Sequence, residues 1–490
     1  MKINFIKVTA LAVTAFSLLS CSSKNKVAEE KERRARKNSF EMYQLLKEDK
    51  AKKNAAVRKY VSELSLDEKL SQVFMINLEK DDRFFPVEWY DRTVKTSDEN
   101  IKSSVGTFNN SDGTFNNSDG TVKKIKTTLI PAGYIFFGYN VSKNPETIIS
   151  FTDSITEYAL KENSIPAFLS IDVEGGFVNR LRGVAGPLAE NERVASCLTP
   201  TQAYKLYSLY GTQLQSLGFN LNLAPVAEIN SENNKEFLSG RSYGDEKQVI
   251  EYCSKAVNAY QNKNVGTVLK HFPGNTNIDP HIGLPKIDMT EQEFNQIKKI
   301  FSEAIKNNPD GVLMSHAIVP AFDKDPACLS KFWIKDVMRD ELGFEGIIFS
   351  DDIFMGALID NGYSPAKASK MAIDAGINCI MISEKKFGRW MELLISICNE
   401  EPEFLSKIEE SVVKILEFKI RHNIIKLEYD KACDAYSVRL LNSDETDFSK
   451  EKQKDRFNSF ENAKKQTVDI YNEYFKPTAS EEEKRALNIQ

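Results

Sequence analysis

Gly346-Ile347-Ile348-Phe349-Ser350-Asp351-Asp352 is a short apolar run that ends abruptly in a hydroxyl and two acids. A run of this length, rich in β-branched and aromatic residues and bounded by glycine, reads as a strand buried on both faces. Runs of the same kind occur at 72–76, 133–137, 167–171, 221–224, 266–269, 311–314, 346–349 and 379–382. They alternate with segments of helical period, which is the pattern of parallel βα units.

The intervening segments carry their own start and stop signals. Thr199 precedes Pro200, Leu206, Tyr210, Leu214 and Leu217 share one face, and Gly218 supplies the stop. Thr290 and Glu293 form a capping box ahead of Phe294, Ile297, Ile300, Phe301 and Ala304. Ser364-Pro365 starts a further helix that Gly376 ends. Eight strands, each paired with a helix, predict a closed (β/α)₈ TIM barrel, so chemistry is expected at the C-terminal ends of the strands.

Three segments fall outside this alternation. Residues 80–128 contain a tandem repeat, Gly106-Thr107-Phe108-Asn109-Asn110-Ser111-Asp112 followed by the same seven residue types at 113–119. Two copies of turn-forming residues read as an inserted surface loop on the active-site side. The tail, 429–490, is polar, with helix-like pieces and no strong core pattern. At the other end Lys2 and Lys7 precede an apolar stretch and then Leu18-Leu19-Ser20-Cys21. That is the layout of a secretory signal, too short to span a bilayer as a mature helix.

A small residue directly before Cys21 resembles the bacterial lipobox, which implies lipidation of Cys21 and a lipid anchor outside the cytoplasmic membrane, in the bacterial cell envelope. The charged run after it reads as a solvated spacer. The expected organisation is therefore signal peptide 1–20, lipidated charged spacer 21–58, barrel 59–428 and tail 429–490. A formal net charge of −5 argues against a nucleic-acid partner. The six cysteines beyond Cys21 form no C-x-x-C pair and no cluster with histidine, so they read as buried single thiols, with neither a disulfide framework nor a metal site.

The chain has four histidines, and His271, His281 and His316 all follow the fifth and sixth candidate strands. Lys270-His271-Phe272-Pro273-Gly274 runs into Asp279-Pro280-His281-Ile282-Gly283, a segment too punctuated to be regular throughout. If the backbone bends so that Asp279 meets His281, the carboxylate orients the imidazole and supports its cation, giving a general acid/base near neutral pH. Asp351 and Asp352 could serve as nucleophile and neighbour, as metal ligands, or as a helix cap. In Asp172-Val173-Glu174-Gly175-Gly176, the glycines permit close backbone approach and the acids could bind sugar hydroxyls.

Taken together, Asp172 to Gly176 through Asn179-Arg180-Leu181, Lys270-His271-Phe272-Pro273-Gly274, Asp279-Pro280-His281 and Phe349-Ser350-Asp351-Asp352 resemble glycoside hydrolase family 3. The similarity is greatest to its bacterial β-N-acetylglucosaminidases. Ala224-Pro225-Val226 and Gly240-Arg241-Ser242-Tyr243 add to it, and it spans about residues 60 to 425 in consistent order. The resemblance implies a retaining β-N-acetylhexosaminidase acting on amino-sugar oligosaccharides from peptidoglycan or chitin. It implies Asp351 as nucleophile, His281 as acid/base with Asp279 as its partner, and Asp172, Arg180, Arg241, Lys270 and His271 as sugar-binding residues. It implies no cofactor and no metal.

Departures from the family pattern are local. Asn275-Thr276-Asn277 replaces the usual His-Gly-Asp-Thr in a shorter loop, Val173, Phe177 and Asn179 replace Gln, Arg and Gln, and Glu228 stands where Asp is common. A catalytically weakened carbohydrate-binding surface lipoprotein is one alternative these departures leave. A β-glucosidase is another, although those relatives draw a carboxylate acid/base from a second domain that this tail is too short to supply.

Overall fold

Each apolar run of the sequence becomes a strand, and each strand lies parallel to its neighbours. The computed structural model describes residues 44, 46–86, 92–94, 123–125, 129–383, 385, 388–442 and 445–479. The expected signal segment, Cys21 and the tandem repeat lie outside the described residues. Barrel strands are β1 (Phe74–Asn77), β2 (Gly133–Phe136), β3 (Phe168–Ile171), β4 (Leu221–Asn222), β5 (Gly266–Phe272), β6 (Gly311–Met314), β7 (Ile347–Ser350) and β8 (Ile380–Ile382). They pair in the order β7-β6-β5-β4-β3-β2-β1-β8. A parallel bridge between Phe349 and Cys379, with Asn378 N–H on the Ile348 carbonyl at 2.9 Å, closes β7 onto β8.

Side chains alternate across the barrel wall as a period of two requires. Met75, Ile135, Phe168, Val268, Leu313, Phe349 and Met381 form the interior core. Their strand neighbours Phe74, Ile76, Tyr134, Leu169, Leu269, Val312, Ile348 and Ile380 join the layer beneath the helices. At the N-terminal end the Phe168 ring packs edge-on against Phe418, of the helix Pro402–Arg421, at 5.5 Å. Only glycine fits beside these rings, since a Cβ on Gly133 would lie 2.0 Å from Phe168 and one on Gly311 2.5 Å from Phe349.

The helices start where the sequence signals them. Pro200–Ser216 and Glu291–Ile305 both carry complete capping boxes, from Thr199 with Gln202 and from Thr290 with Glu293. Pro365–Ala375 ends on Gly376 in the left-handed region, φ 111°. Of the cysteines, Cys253, Cys328, Cys379 and Cys398 are buried free thiols, while Cys433 is exposed.

Two segments carry more than their reading as a surface loop and a polar tail without a strong core pattern. Within the inserted loop, Arg92–Val94 and Lys123–Ile125 pair antiparallel. In the tail, the helix Lys450–Ile470 buries Phe460, Ala463 and Ile470, followed by Tyr471 and Phe475. Arg456 of that helix pairs with Asp153 and donates to the Ser216 carbonyl at 2.9 Å. Its apolar positions are spread too thinly along a charged sequence to be recognised without the surface they cover. A separate small unit combines described residues up to Ala56 with Tyr429–Tyr436. Within it, Tyr436 donates to Asp49 at 2.6 Å and Lys52 pairs with Asp434. Among the described residues no helix is long and apolar enough to cross a membrane.

Candidate active site

β5 runs three residues beyond the apolar stretch that announces it. Lys270 bridges to Val226 and Phe272 pairs with Met314, so Lys270 and His271 are strand residues rather than part of the loop expected from the punctuation. The register that turns Val268 inward also brings Lys270 to the charged groups at the end of β3. Its ammonium donates to Asp172 Oδ1 and to Glu174 Oε1, both at 2.6 Å. Glu174 also takes two bonds from Arg241, at 2.7 Å from Nε and 2.9 Å from a terminal nitrogen.

Charges this deeply buried persist only when paired. Burial by itself would raise the Glu174 carboxyl, but Arg241 and Lys270 outweigh it and hold the group well below the usual carboxylate range. Lys270 follows the same logic in reverse: burial opposes its charge, while Asp172 and Glu174 keep the ammonium protonated. The result is a rigid array of donors and acceptors at the mouth of the barrel, suited to sugar hydroxyls. Arg180 lies beside it, its backbone N–H on the Asp172 carbonyl at 3.0 Å, and its Nε is buried without a hydrogen-bond partner among the described residues.

The next residue, His271, donates from Nδ1 to Glu228 Oε1 at 2.6 Å. The same carboxylate accepts the His271 backbone N–H at 3.3 Å, and Asn275 N–H and Nδ2 at 2.8 and 3.0 Å. Burial pushes against the charge on Glu228, but the His271 bond and charge prevail and lower its pKa. One buried carboxylate thus fixes both the imidazole and the root of the loop that follows.

Asp351 follows β7, half-buried, with Oδ1 accepting the Asp352 N–H at 2.8 Å. Burial raises its pKa, yet His316, His271 and Lys270 overcome this and keep it a carboxylate. Asp352 is used structurally. Its Oδ1 accepts Phe354 N–H and Ser383 N–H at 3.0 and 3.1 Å, tying the β7 loop to β8. His316, after β6, donates from Nε2 to the Asp352 carbonyl at 3.0 Å, and its Nδ1 faces the Cys328 thiol at 3.2 Å. Burial lowers the His316 pKa. With both ring nitrogens engaged, it braces the loop after β7.

His281 stands apart from this buried array. Its side chain is 73% exposed, and its Nδ1 donates to Asp279 Oδ1 at 2.7 Å, with its backbone N–H on the same oxygen at 2.9 Å. The two-residue spacing closes through this turn, which leaves Nε2 facing away from the carboxylate. Burial works against the Asp279 charge, but the bonds from His281 outweigh it and lower the pKa. The loop is fixed on two sides. Asn277 Oδ1 accepts Glu236 N–H at 2.9 Å from the β4 loop, and the Pro280 carbonyl accepts Ala357 N–H at 3.0 Å from the segment after Asp351.

The structure therefore gathers Asp172, Lys270 and Arg241 into one network and joins Asp279 to His281. Of three further residues, Glu174 was legible as an acid that could bind a sugar hydroxyl, and Glu228 and His316 only as polar groups at strand ends. Nothing in their local sequence shows that Glu174 joins Lys270 to Arg241, or that Glu228 holds His271.

The profile of the Glycosyl hydrolase family 3 N terminal domain matches residues 65–418. Beta-hexosaminidase A of Pseudoalteromonas piscicida is 29% identical over 319 residues, covering 59% of this chain and 53% of that protein. The chain thus spans about half the length of that relative. A beta-hexosaminidase of Haemophilus influenzae is 28% identical over 287 residues, 56% of this chain and 79% of that protein. A family 3 beta-N-acetylglucosaminidase structure from Paenibacillus sp. shares the fold with a TM-score of 0.59 at 24% identity, over 81% of this chain and 68% of that one. The beta-N-acetylhexosaminidase of Beutenbergia cavernae does so with a TM-score of 0.56 at 19% identity, over 73% and 99%.

Proposed function

The chain belongs to glycosyl hydrolase family 3, and on that premise we propose that it is a retaining β-N-acetylhexosaminidase. It removes terminal N-acetylglucosamine from peptidoglycan or chitin-type fragments. The observation that carries this reading is the Asp279–His281 pair, closed at 2.7 Å on a loop bonded to the segment that follows Asp351. A carboxylate nucleophile with an imidazole acid/base is a complete set for displacement at an acetal carbon.

In the first step Asp351 attacks the anomeric carbon and forms a glycosyl ester, while His281 Nε2–H gives its proton to the departing oxygen. In the second, water attacks the same carbon, Nε2 takes the water proton, and the Asp351 carboxylate leaves. Two inversions give net retention. Asp172, Lys270, Arg241, Arg180 and His271 hold the hydroxyls of the terminal sugar. Glu174 and Glu228 keep those cations and that imidazole in place.

The test is hydrolysis of p-nitrophenyl β-N-acetylglucosaminide beside the glucoside, with the product anomer followed by NMR. Preference for the amino sugar and initial release of the β-anomer are expected. Faster cleavage of the glucoside, or initial α-anomer, refutes the reading.

We also propose a lipid anchor at Cys21 that holds the enzyme outside the cytoplasmic membrane, in the cell envelope. The reading rests on the lysine-led apolar segment, on Ser20 before Cys21, and on the charged spacer after it. Cys21→Ser is expected to move the protein from the detergent to the aqueous phase on phase partitioning. Unchanged partitioning would discard the anchor.

A further inference from the structure

Among the described residues ten large apolar side chains are exposed, and six of them, Phe85, Tyr139, Phe177, Ile278, Ile282 and Ile359, lie on segments leaving the C-terminal ends of barrel strands. Single exposed hydrophobics are ordinary. Their gathering at the end that holds the site is not. Two of them flank His281 directly: Ile278, 47% exposed, and Ile282, 81% exposed. A Cβ on Gly283 would lie 3.1 Å from Ile278 Cγ2, so the two arms of the loop approach each other.

The position of a general acid defines a direction. His281 must reach the oxygen that joins the terminal sugar to the leaving group, so the leaving group lies over the loop that carries it. That surface is apolar next to the acid and acidic around it. Asn277 Nδ2 donates to the Glu232 carbonyl at 3.0 Å and Asn277 Oδ1 accepts Glu236 N–H at 2.9 Å, which fixes the loop to the backbone of the β4 loop. Asp279 is on the loop itself. Asp360 Oδ2 approaches the Gly356 Cβ position to 3.0 Å, where the His281 carbonyl also lies, at 2.7 Å. Lys235 is paired with Glu232 at 2.6 Å, and Lys286 is exposed where the loop leaves, bridged through its backbone to Ile318.

We infer that the leaving-group side of the site selects a neutral unit with an apolar face, such as the CH face of a second N-acetylated sugar, over a unit bearing a carboxylate. This rests on the function proposed above and narrows it. An apolar face covers Ile278 and Ile282, whereas an anion there would meet Asp279 on the loop and the exposed Asp360 against it, and the lysine of this loop, Lys286, is held at its exit by the backbone bridge to Ile318.

The test uses the full chain and two disaccharides that both need the acid: N,N′-diacetylchitobiose, and the analogue whose reducing sugar carries a lactyl carboxylate. Wild-type kcat/KM is expected to favour the neutral substrate by about tenfold. Ile282→Lys should pull that ratio toward one and Ile282→Glu should widen it. A wild-type ratio at or below one, or a ratio that neither substitution moves, overturns the inference. Equal loss on both substrates would mark Ile282 as a support of His281 alone and would also overturn it. If the aryl N-acetylglucosaminide is cleaved but neither disaccharide is, the function stands and the inference falls. If no amino sugar is cleaved, both fall.

Discussion

The molecule contains two histidine–carboxylate pairs on the same end of the barrel, alike in bond and opposite in setting. His271 and Glu228 meet at 2.6 Å and His281 and Asp279 at 2.7 Å. The first pair is buried, and its carboxylate accepts four hydrogen bonds. The second is exposed, on a loop held by its backbone. A histidine locked into a saturated network is suited to holding a ligand in one orientation. One that reaches water through Nε2 can exchange a proton at every turnover. In the proposed mechanism environment, not residue type, divides binding from proton transfer.

In the proposed mechanism both pairs serve one nucleophile, so its removal is the largest effect expected. Asp351→Ala should lower kcat by at least about 10⁴-fold on every substrate, since Asp352 is committed to the β8 connection. Substantial activity measured in that variant would move the nucleophile and dissolve the comparison.

The exposed pair comes next. His281→Ala should cost about 10²- to 10³-fold on a natural disaccharide and far less on an aryl glycoside, whose leaving group needs no proton. Equal losses on both would show that His281 is not the acid. Asp279→Asn should reproduce part of the defect, roughly tenfold on the disaccharide, because the imidazole loses the charge that supports its cation.

The buried pair should answer differently. Glu228→Gln sets an amide nitrogen against the donors of Asn275, destabilising the fold by about 2 kcal/mol and raising KM more than it lowers kcat. A kcat defect that matches His281→Ala in its leaving-group dependence would make His271 a second proton carrier. The pH dependence carries a sign. Because the folded Glu228 pKa lies below its ordinary 4.5, its contribution to stability is fully present above that value and is lost as pH falls through the folded one. Melting temperatures of wild type and Glu228→Gln should therefore converge below pH 4.5. A constant gap down to pH 3 would show that the carboxylate charge is not what matters.

The barrel was legible from the chain because its signals are local. Continuous apolar runs, helical faces with a period of 3.6, and caps such as Thr290 with Glu293 lie within a few residues of each other. The acids and histidines at strand ends were equally visible, as was Asp279 two residues from His281. The tail read as helix-like pieces, but the face it buries was not legible, because Phe460, Ala463 and Ile470 are too sparse to mark one until Pro200–Ser216 and its neighbours supply a surface.

What the sequence determined by itself is the order of eight strands and the presence of Lys270, His271, Asp279, His281, Asp351 and their companions at the mouth. Tertiary structure alone decided the pairings. Glu174 reaches Arg241 across 67 positions, Lys270 reaches Asp172 across 98, and Glu228 reaches His271 across 43. Those bonds depend on the register between parallel strands, and their strength depends on how far water is excluded. Neither quantity is written in any window of the chain, because both are set by strands that meet only when the barrel closes.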